Sequence, residues 1–382
     1  MHFHSRRGFL TQTLGASWLA ASLMEKSFLR AAQARADAQS APQPILFDLQ
    51  RMADGVYAAL ARPQAMINSN AVVFENATDV LIVDTHARPS AVAALTAQIR
   101  RQVTPKPIRY VVNTHFHGDH VQGNPMYRKL APQVDFLAST TTRDLMVQLA
   151  APRLKASVEQ AAASLDRYRA SLAEAKTAHD KNHYQEMISQ TTAYIAEMKG
   201  FVPEIPNITF DRDLVIHDKA HEIHLAFRGR AHTAGDVVVF CPQKKAMASG
   251  DLLEGLMPNI ADGYPREWPR TLRALLDFPF DLVAGGHGDV QHGRDRLHQM
   301  AAYIEELTGL VDAGKRQGRD IAQLQASIDP GSLKSLGGPY RNFLFSQMQR
   351  YSASSAVTPP ARSLVSGVKD NIRDIYNTLD HA

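Results

Sequence analysis

The stretch Ile108-Arg109-Tyr110-Val111-Val112-Asn113-Thr114-His115-Phe116-His117-Gly118-Asp119-His120 decides the fold. Its opening, Ile108 to Asn113, is short, apolar and rich in β-branched side chains, which predicts a buried strand. Directly after it, three histidines and one aspartate fall within six residues. Neutral imidazole and carboxylate suit a divalent metal of borderline softness. Four such groups on one irregular turn can be aimed at more than one ion, and Gly118 permits the tight backbone.

Upstream, Phe47 to Met52 and Val56 to Ala61 read as strands around Ala53-Asp54-Gly55, and Asn70 to Phe74 and Val80 to Asp84 repeat the pattern. Ser90 to Arg101 has the spacing of an amphipathic helix. Strand, helix, strand marks an α/β layer. Downstream, Leu154, Val158, Ala161, Leu165, Tyr168, Leu172 and Ala175 alternate spacings of four and three, a heptad seam. After a polar stretch from Lys176 to Asn182, Tyr184, Met187, Thr191, Tyr194 and Met198 resume it. This predicts an antiparallel helical hairpin inserted over about 140–200, each arm reaching about 37 Å. A decoration, a dimer surface and a lid over the site are the roles open to it. Strands return at Val134 to Leu137, Asn207 to Phe210, Glu222 to Phe227, Val237 to Cys241, Ala246 to Ser249 and Asp281 to Ala284. Trp268 to Leu276 reads as a helix. From His292 onward the pattern is mostly helical, with His292 and His298 on the first helix. Pro359-Pro360 and the stretch Pro330-Gly331 to Pro339 break this tail into pieces.

The segment from His115 to His120 resembles the His-x-His-x-Asp-His signature of the metallo-β-lactamase superfamily. Val83-Asp84-Thr85, Ala231-His232-Thr233-Ala234-Gly235-Asp236, Ser249-Gly250-Asp251 and Gly285-Gly286-His287-Gly288 resemble that family's other marks, in order. The resemblance runs from about Leu49 to His287, interrupted by the hairpin. It implies an α/β fold, the four-layer αβ/βα sandwich, with an inserted helical hairpin and a helical C-terminal extension. The domains would be a catalytic domain over 39–315 and the extension over 316–382. It also implies two divalent ions, zinc by ligand type: one on His115, His117 and His232, one on Asp119, His120 and His287, with Asp251 between them. Asp84 would hold a ligand from behind. Two cations roughly 3.5–4 Å apart share a water and lower its pKa, giving a metal-bridged hydroxide. Asp119 would orient it and pass its proton on. His86, His179, His183, His217, His221 and His224 lack such a context and read as surface or packing histidines.

The ligand set narrows the substrate. Zinc β-lactamases usually carry cysteine or serine where this chain has Asp251. Flavo-di-iron members carry glutamate where it has His117, and persulfide dioxygenases use a reduced set. Glyoxalase II has the same seven ligands, but the basic pattern of its C-terminal helices is missing after His292. A hydrolase of a small carboxylic ester, thioester, lactone or lactam remains. The alternatives are β-lactamase activity proper and a non-catalytic, metal-binding accessory protein of the periplasm.

Charge agrees with a small-molecule substrate. The chain has 382 residues and net charge +4, but residues 1–38 hold five bases and two acids; without them 37 bases face 36 acids. Near neutrality gives no electrostatic case for nucleic acid. Ser5-Arg6-Arg7-Gly8-Phe9-Leu10 resembles a twin-arginine export signal. A moderately apolar stretch to Met24 and small-residue sites at Ala32-Gln33-Ala34 and Ala36-Asp37-Ala38 follow. This predicts a signal peptide over 1–38, a periplasmic protein and no stable membrane insertion after cleavage. Cys241 is the single cysteine, and it reads as a small buried strand residue.

Overall fold

The computed structural model describes residues 45–63, 69–351 and 359–380. The signal-like stretch 1–38 lies outside the described residues. β1 (Phe47–Ala53), β2 (Val56–Ala61), β3 (Ala71–Glu75) and β4 (Val80–Val83) form an antiparallel meander. Helix α1 (Pro89–Gln102) crosses to β5 (Ile108–Val112), parallel to β4. The short helices α2 (Gly118–Val121) and α3 (Asn124–Leu130) lead to β6 (Asp135–Ser139), also parallel. The hairpin follows as α4 (Thr140–Glu174) and α5 (Ala178–Glu197), and β7 (Ile208–Phe210) closes this seven-stranded sheet.

The second sheet has six strands in the order β13-β12-β11-β10-β9-β8. These are β8 (Asp213–His217), β9 (Glu222–Phe227), β10 (Val237–Cys241), β11 (Ala246–Gly250), then β12 (Leu282–Gly285) and β13 (Gln291–His292) after helix α6 (Trp268–Ala274). Here β11 and β12 are the parallel pair. Helices α7 (Asp295–Arg316), α8 (Ile321–Ser327), α9 (Gly338–Tyr351) and α10 (Pro360–Thr378) complete the chain. Among the described residues no helix is long and apolar enough to cross a membrane.

Alternation along each strand builds the layers. Val72, Phe74, Leu81, Val83 and Val112 of one sheet pack on Leu225, Val237, Val239, Ala246 and Ala248 of the other. The opposite faces carry Val73, Ile82, Val111 and Phe136 against α1, and Val238, Phe240, Met247 and Val283 against α6, α7, α9 and α10. The central strands are covered on both faces, so β3, β4, β10 and β11 are buried almost throughout and mostly apolar. This is the four-layer sandwich expected. Residues of α7 and of the tail share one apolar cluster: Leu307, Val311, Leu344, Val368 and Ile372.

Two expectations change. His292 lies on β13, not on a helix: it pairs with Leu282, and Gly293, at φ 69°, turns the chain before α7 begins. Strand β8, unannounced by its three apolar residues, pairs with β9 as a hairpin edge. The insert is two helices as expected, but unequal, at 35 and 20 residues. The extra length of α4 is its root, where Met146 packs on Phe116 and Val121. Thr142 and Ser139 there donate to the Gly235 carbonyl at 2.9 and 2.7 Å.

Candidate metal centre

Asp84, His115 to His120, Asp251 and His287 all follow the C-terminal ends of β4, β5, β11 and β12. These are the parallel pairs of the two sheets, and their carboxyl ends leave an open crevice. His232 comes from the turn between β9 and β10. Asp84 takes φ 64°, a left-handed conformation that aspartate tolerates better than most residues. Gly286 is required by closeness: a Cβ there would stand 2.0 Å from Asp251 Oδ1 and 2.6 Å from His120 Cε1.

The structure brings all seven expected ligand residues together. Nitrogen and oxygen atoms of His115, His117, His232 and Asp251 lie within 4.8 Å of one another, and so do those of Asp119, His120 and His287. Asp251 joins the two groups. Its Oδ2 is 3.9 Å from His115 Nε2, 3.6 Å from His232 Nε2 and 3.5 Å from His287 Nε2, while Oδ1 is 3.4 Å from His120 Nε2. Asp119 Oδ2 lies 3.2 Å from His287 Nε2.

Three of the rings have an outer nitrogen anchored by an acceptor, which fixes the tautomer and aims the other nitrogen inward. His120 Nδ1–H donates to Asp84 Oδ2 at 2.8 Å. His117 Nε2–H donates to Asp262 Oδ2 at 2.8 Å. His232 Nδ1–H donates to the Asn259 carbonyl at 2.9 Å. Asp84 is itself held by the Thr114 amide at 2.8 Å. The freed His117 Nδ1 and His232 Nε2 then face each other at 2.9 Å.

The donor set fits a cation. His115 Nε2, His120 Nε2 and Asp251 Oδ1 are buried and lack a hydrogen-bond partner, a state native interiors rarely tolerate without a ligand. The electrostatics ask for positive charge at the same point. Burial pushes His115 well below its usual range, helped by His120 and His117. Burial also opposes a charge on His120, yet Asp251, Asp119 and Asp84 hold it well above. His287 is raised by Asp251 and Asp119 against the same burial. Asp119 and Asp251 resist burial and stay low because of His120 and His287. The carboxylates thus draw positive charge towards His120 and His287.

Several residues here escaped sequence reasoning. Glu254, three positions after Asp251, is buried, forms a group with Asp251 and His287 that could hold a metal, and is pushed well up by burial and by Asp251. Asp262 is gripped by Arg153 of the hairpin, at 2.8 and 2.6 Å. Burial would raise its carboxyl, but His117 and Arg153 hold it well below the usual range. Asn70 stitches the sheets, donating to the carbonyls of Gly285 and Gly288 at 3.0 and 2.8 Å. Asp236 clamps the His232 turn through the Thr233 amide at 2.8 Å, and burial pushes it up to about 7. His86, expected as a surface or packing histidine, is the packing kind: it is buried beneath the cluster, donating to the Ser69 carbonyl at 2.8 Å.

The family model described as the metallo-beta-lactamase superfamily matches residues 66–287. The type 2 metallo-beta-lactamases of Bacillus cereus and of Bacillus sp. (strain 170) are each 26% identical over 115 residues, 28% of this chain and 44% of the relative. The chain therefore spans less than half the length of those curated relatives. Among solved structures, the stereoselective inverting sec-alkylsulfatase Pisa1 from Pseudomonas sp. aligns at TM-score 0.59 and 16% identity, covering 87% of this chain and 50% of its own. A metallo-beta-lactamase from Pontibacter korlensis aligns at TM-score 0.49 and 17% identity, covering 67% of this chain and 97% of its own. With the family model reaching from residue 66 to His287, the last of the clustered histidines, the chain belongs to the metallo-beta-lactamase superfamily.

Proposed function

We propose that this chain is a hydrolase dependent on two divalent ions, zinc by ligand type, acting on a carboxylic ester, thioester, lactone or lactam. The observation that carries this is the convergence of imidazole nitrogens and carboxylates on one point, with His115 Nε2, His120 Nε2 and Asp251 Oδ1 unpartnered. In this reading His115, His117 and His232 hold the first ion and Asp119, His120 and His287 the second, with Asp251 reaching both, a ligand set like that of glyoxalase II. When bound, such ions polarise a carbonyl and make water acidic enough to attack near neutral pH. The protein's own residues do the rest. Asp84, Asp262 and the Asn259 carbonyl hold the imidazoles in the tautomers that leave lone pairs inward. Asp119, half-buried at the mouth of the cluster, orients the attacking water and takes its proton at Oδ2.

The test is metal analysis of the purified protein, then a hydrolysis panel of lactones, thioesters, esters and β-lactams. Two equivalents of metal and turnover of one class are expected. Asp251→Ala should lose metal and hydrolysis together, because it removes the carboxylate that reaches from the first group to His120 and His287 of the second. A protein that keeps its metal and hydrolyses nothing would be a metal-binding accessory protein. We propose further that residues 1–38 direct export to the periplasm by the twin-arginine route. Changing Arg6 and Arg7 together to Lys should strand the precursor in the cytoplasm, and unchanged periplasmic yield would remove that assignment.

A further inference from the structure

The hairpin leans on the cluster, and two cavities open between them. One, of about 400 Å³, is bounded by Phe116, Val121, Ala150, Leu154, Phe201 and Pro203 beside His117 and Asp119. The other, of about 350 Å³, is bounded by Ser164, Tyr168, Met187 and Tyr194. Gly118, Asp119, Gln122, Ser157 and Gln160 line both, so the cavities are two lobes meeting at Asp119. Each is of the size that takes part of a small ligand.

The lobes differ in chemistry. The first adds the aromatic and aliphatic side chains of Phe116, Val121, Leu154 and Phe201, beside His117, Arg153 and Asp262; the second adds the hydroxyls of Ser164, Tyr168 and Tyr194; the amides of Gln122 and Gln160 are shared. Among the described residues lining either lobe, Arg153 is the one Arg or Lys. Both its terminal nitrogens are already committed to Asp262, and its guanidinium lies over the Phe116 ring at 4.7 Å. Away from the metal cluster, a carboxylate carried along the walls of the first lobe would therefore find no free cation, and an unpaired charge there is disfavoured.

We propose that the hairpin is the substrate-selecting wall of the site, and that the substrate is an uncharged acyl compound whose apolar chain lies along Phe116, Val121, Leu154 and Phe201. The second lobe, with the hydroxyls of Ser164, Tyr168 and Tyr194, receives the uncharged leaving group. This rests on the hydrolase reading for the carbonyl's place at Asp119, but the selectivity is a property of the walls.

Hydroxamates test it, because they report binding to the metal-loaded full-length protein without turnover. Affinities of acetohydroxamate, hexanohydroxamate and the carboxylate-ended succinic monohydroxamate are measured by calorimetry. Each methylene entering the apolar lobe should tighten binding about fourfold, so hexanoyl should exceed acetyl by roughly 200-fold. The carboxylate-ended probe should gain nothing over acetyl. Leu154→Asp and Ala150→Trp, one adding charge and one filling space, should each collapse the hexanoyl-to-acetyl ratio, read within each variant. A flat series, a preference for the anionic probe, or a ratio unchanged in both variants overturns the proposal. A steep series without hydrolysis of the matching p-nitrophenyl esters overturns only the hydrolase reading. Failure to take up metal and to bind any probe overturns both.

Discussion

Asp262→Ala separates the metal centre from the hairpin. Asp262 does two things: it accepts from His117 Nε2–H at 2.8 Å, and it takes both Arg153 nitrogens. Losing the acceptor frees the His117 ring to rotate and lowers the basicity of its inward Nδ1. Removing such a supporting carboxylate lowers metal affinity roughly 10–100-fold, or about 1.4–2.7 kcal/mol at ~1.36 kcal/mol per decade. The Arg153 pair contributes little to global stability. Its side chains are 42% and 28% exposed, so water discounts it to about 1 kcal/mol or less. The expected signature is a large fall in metal affinity with a melting temperature lower by only a few degrees. Competition against a chromophoric chelator reads the first and calorimetry the second. Arg153→Met should weaken metal less than Asp262→Ala, and adding it to Asp262→Ala should change metal affinity no further, because Arg153 acts through Asp262. Wild-type metal affinity in Asp262→Ala, or additive effects in the double variant, would refute the chain from hairpin to histidine.

Burial holds His86 down to about 3 from the ordinary 6.5. Below pH 6.5 the unfolded chain binds a proton that the native protein refuses, so stability falls as pH drops through that window. His86→Asn, which keeps a residue tolerant of φ 66°, should flatten this slope in urea unfolding of the metal-free protein. An identical slope would show that His86 does not set it. Gln347 of α9 clasps Asp289, two residues past His287, with two bonds of 2.8 Å. Gln347→Ala should cost about 1–3 kcal/mol in denaturant unfolding and weaken metal binding, and unchanged metal affinity would mean the tail does not steady His287. Shortening the hairpin between Ala170 and Glu186 should leave metal content intact while altering the oligomeric state in light scattering. Loss of metal would mean that the tip helps to hold the site.

The site was legible because its chemistry is local: each histidine or aspartate follows a strand within a few residues, and residue type plus position marks it. The support around it was not. Arg153 and Asp262 are 109 residues apart, and Asn70 and Gly285 are 215 apart. Asp262 precedes Gly263 in what reads as an ordinary turn, and Arg153 is one more charge on a charged helix. The heptad seam announced the hairpin because packing there repeats at helical spacing: Ala161 and Leu165 are buried against a partner helix that buries Thr191 and Tyr194. The root of α4 hid its different role, since Met146 packs on the metal loop and not on the hairpin. Strand β13 was too short, at two residues, for any periodicity to register.

The clustered histidines and aspartates are divided between the sheets. His115, His117, Asp119 and His120 follow a strand of the first, whereas His232, Asp251 and His287 come from the second. On the two-ion reading, a nascent chain that has formed only its first half would grip an ion weakly, because Asp251 belongs to the second half. Tight capture waits for the second half to dock, and mass action then favours that completed state alone. With ions bound as proposed, the metal would act as a latch on the last stage of folding. A chain released without it keeps a buried, charge-strained seam between its sheets, the place where local opening and proteolysis would begin.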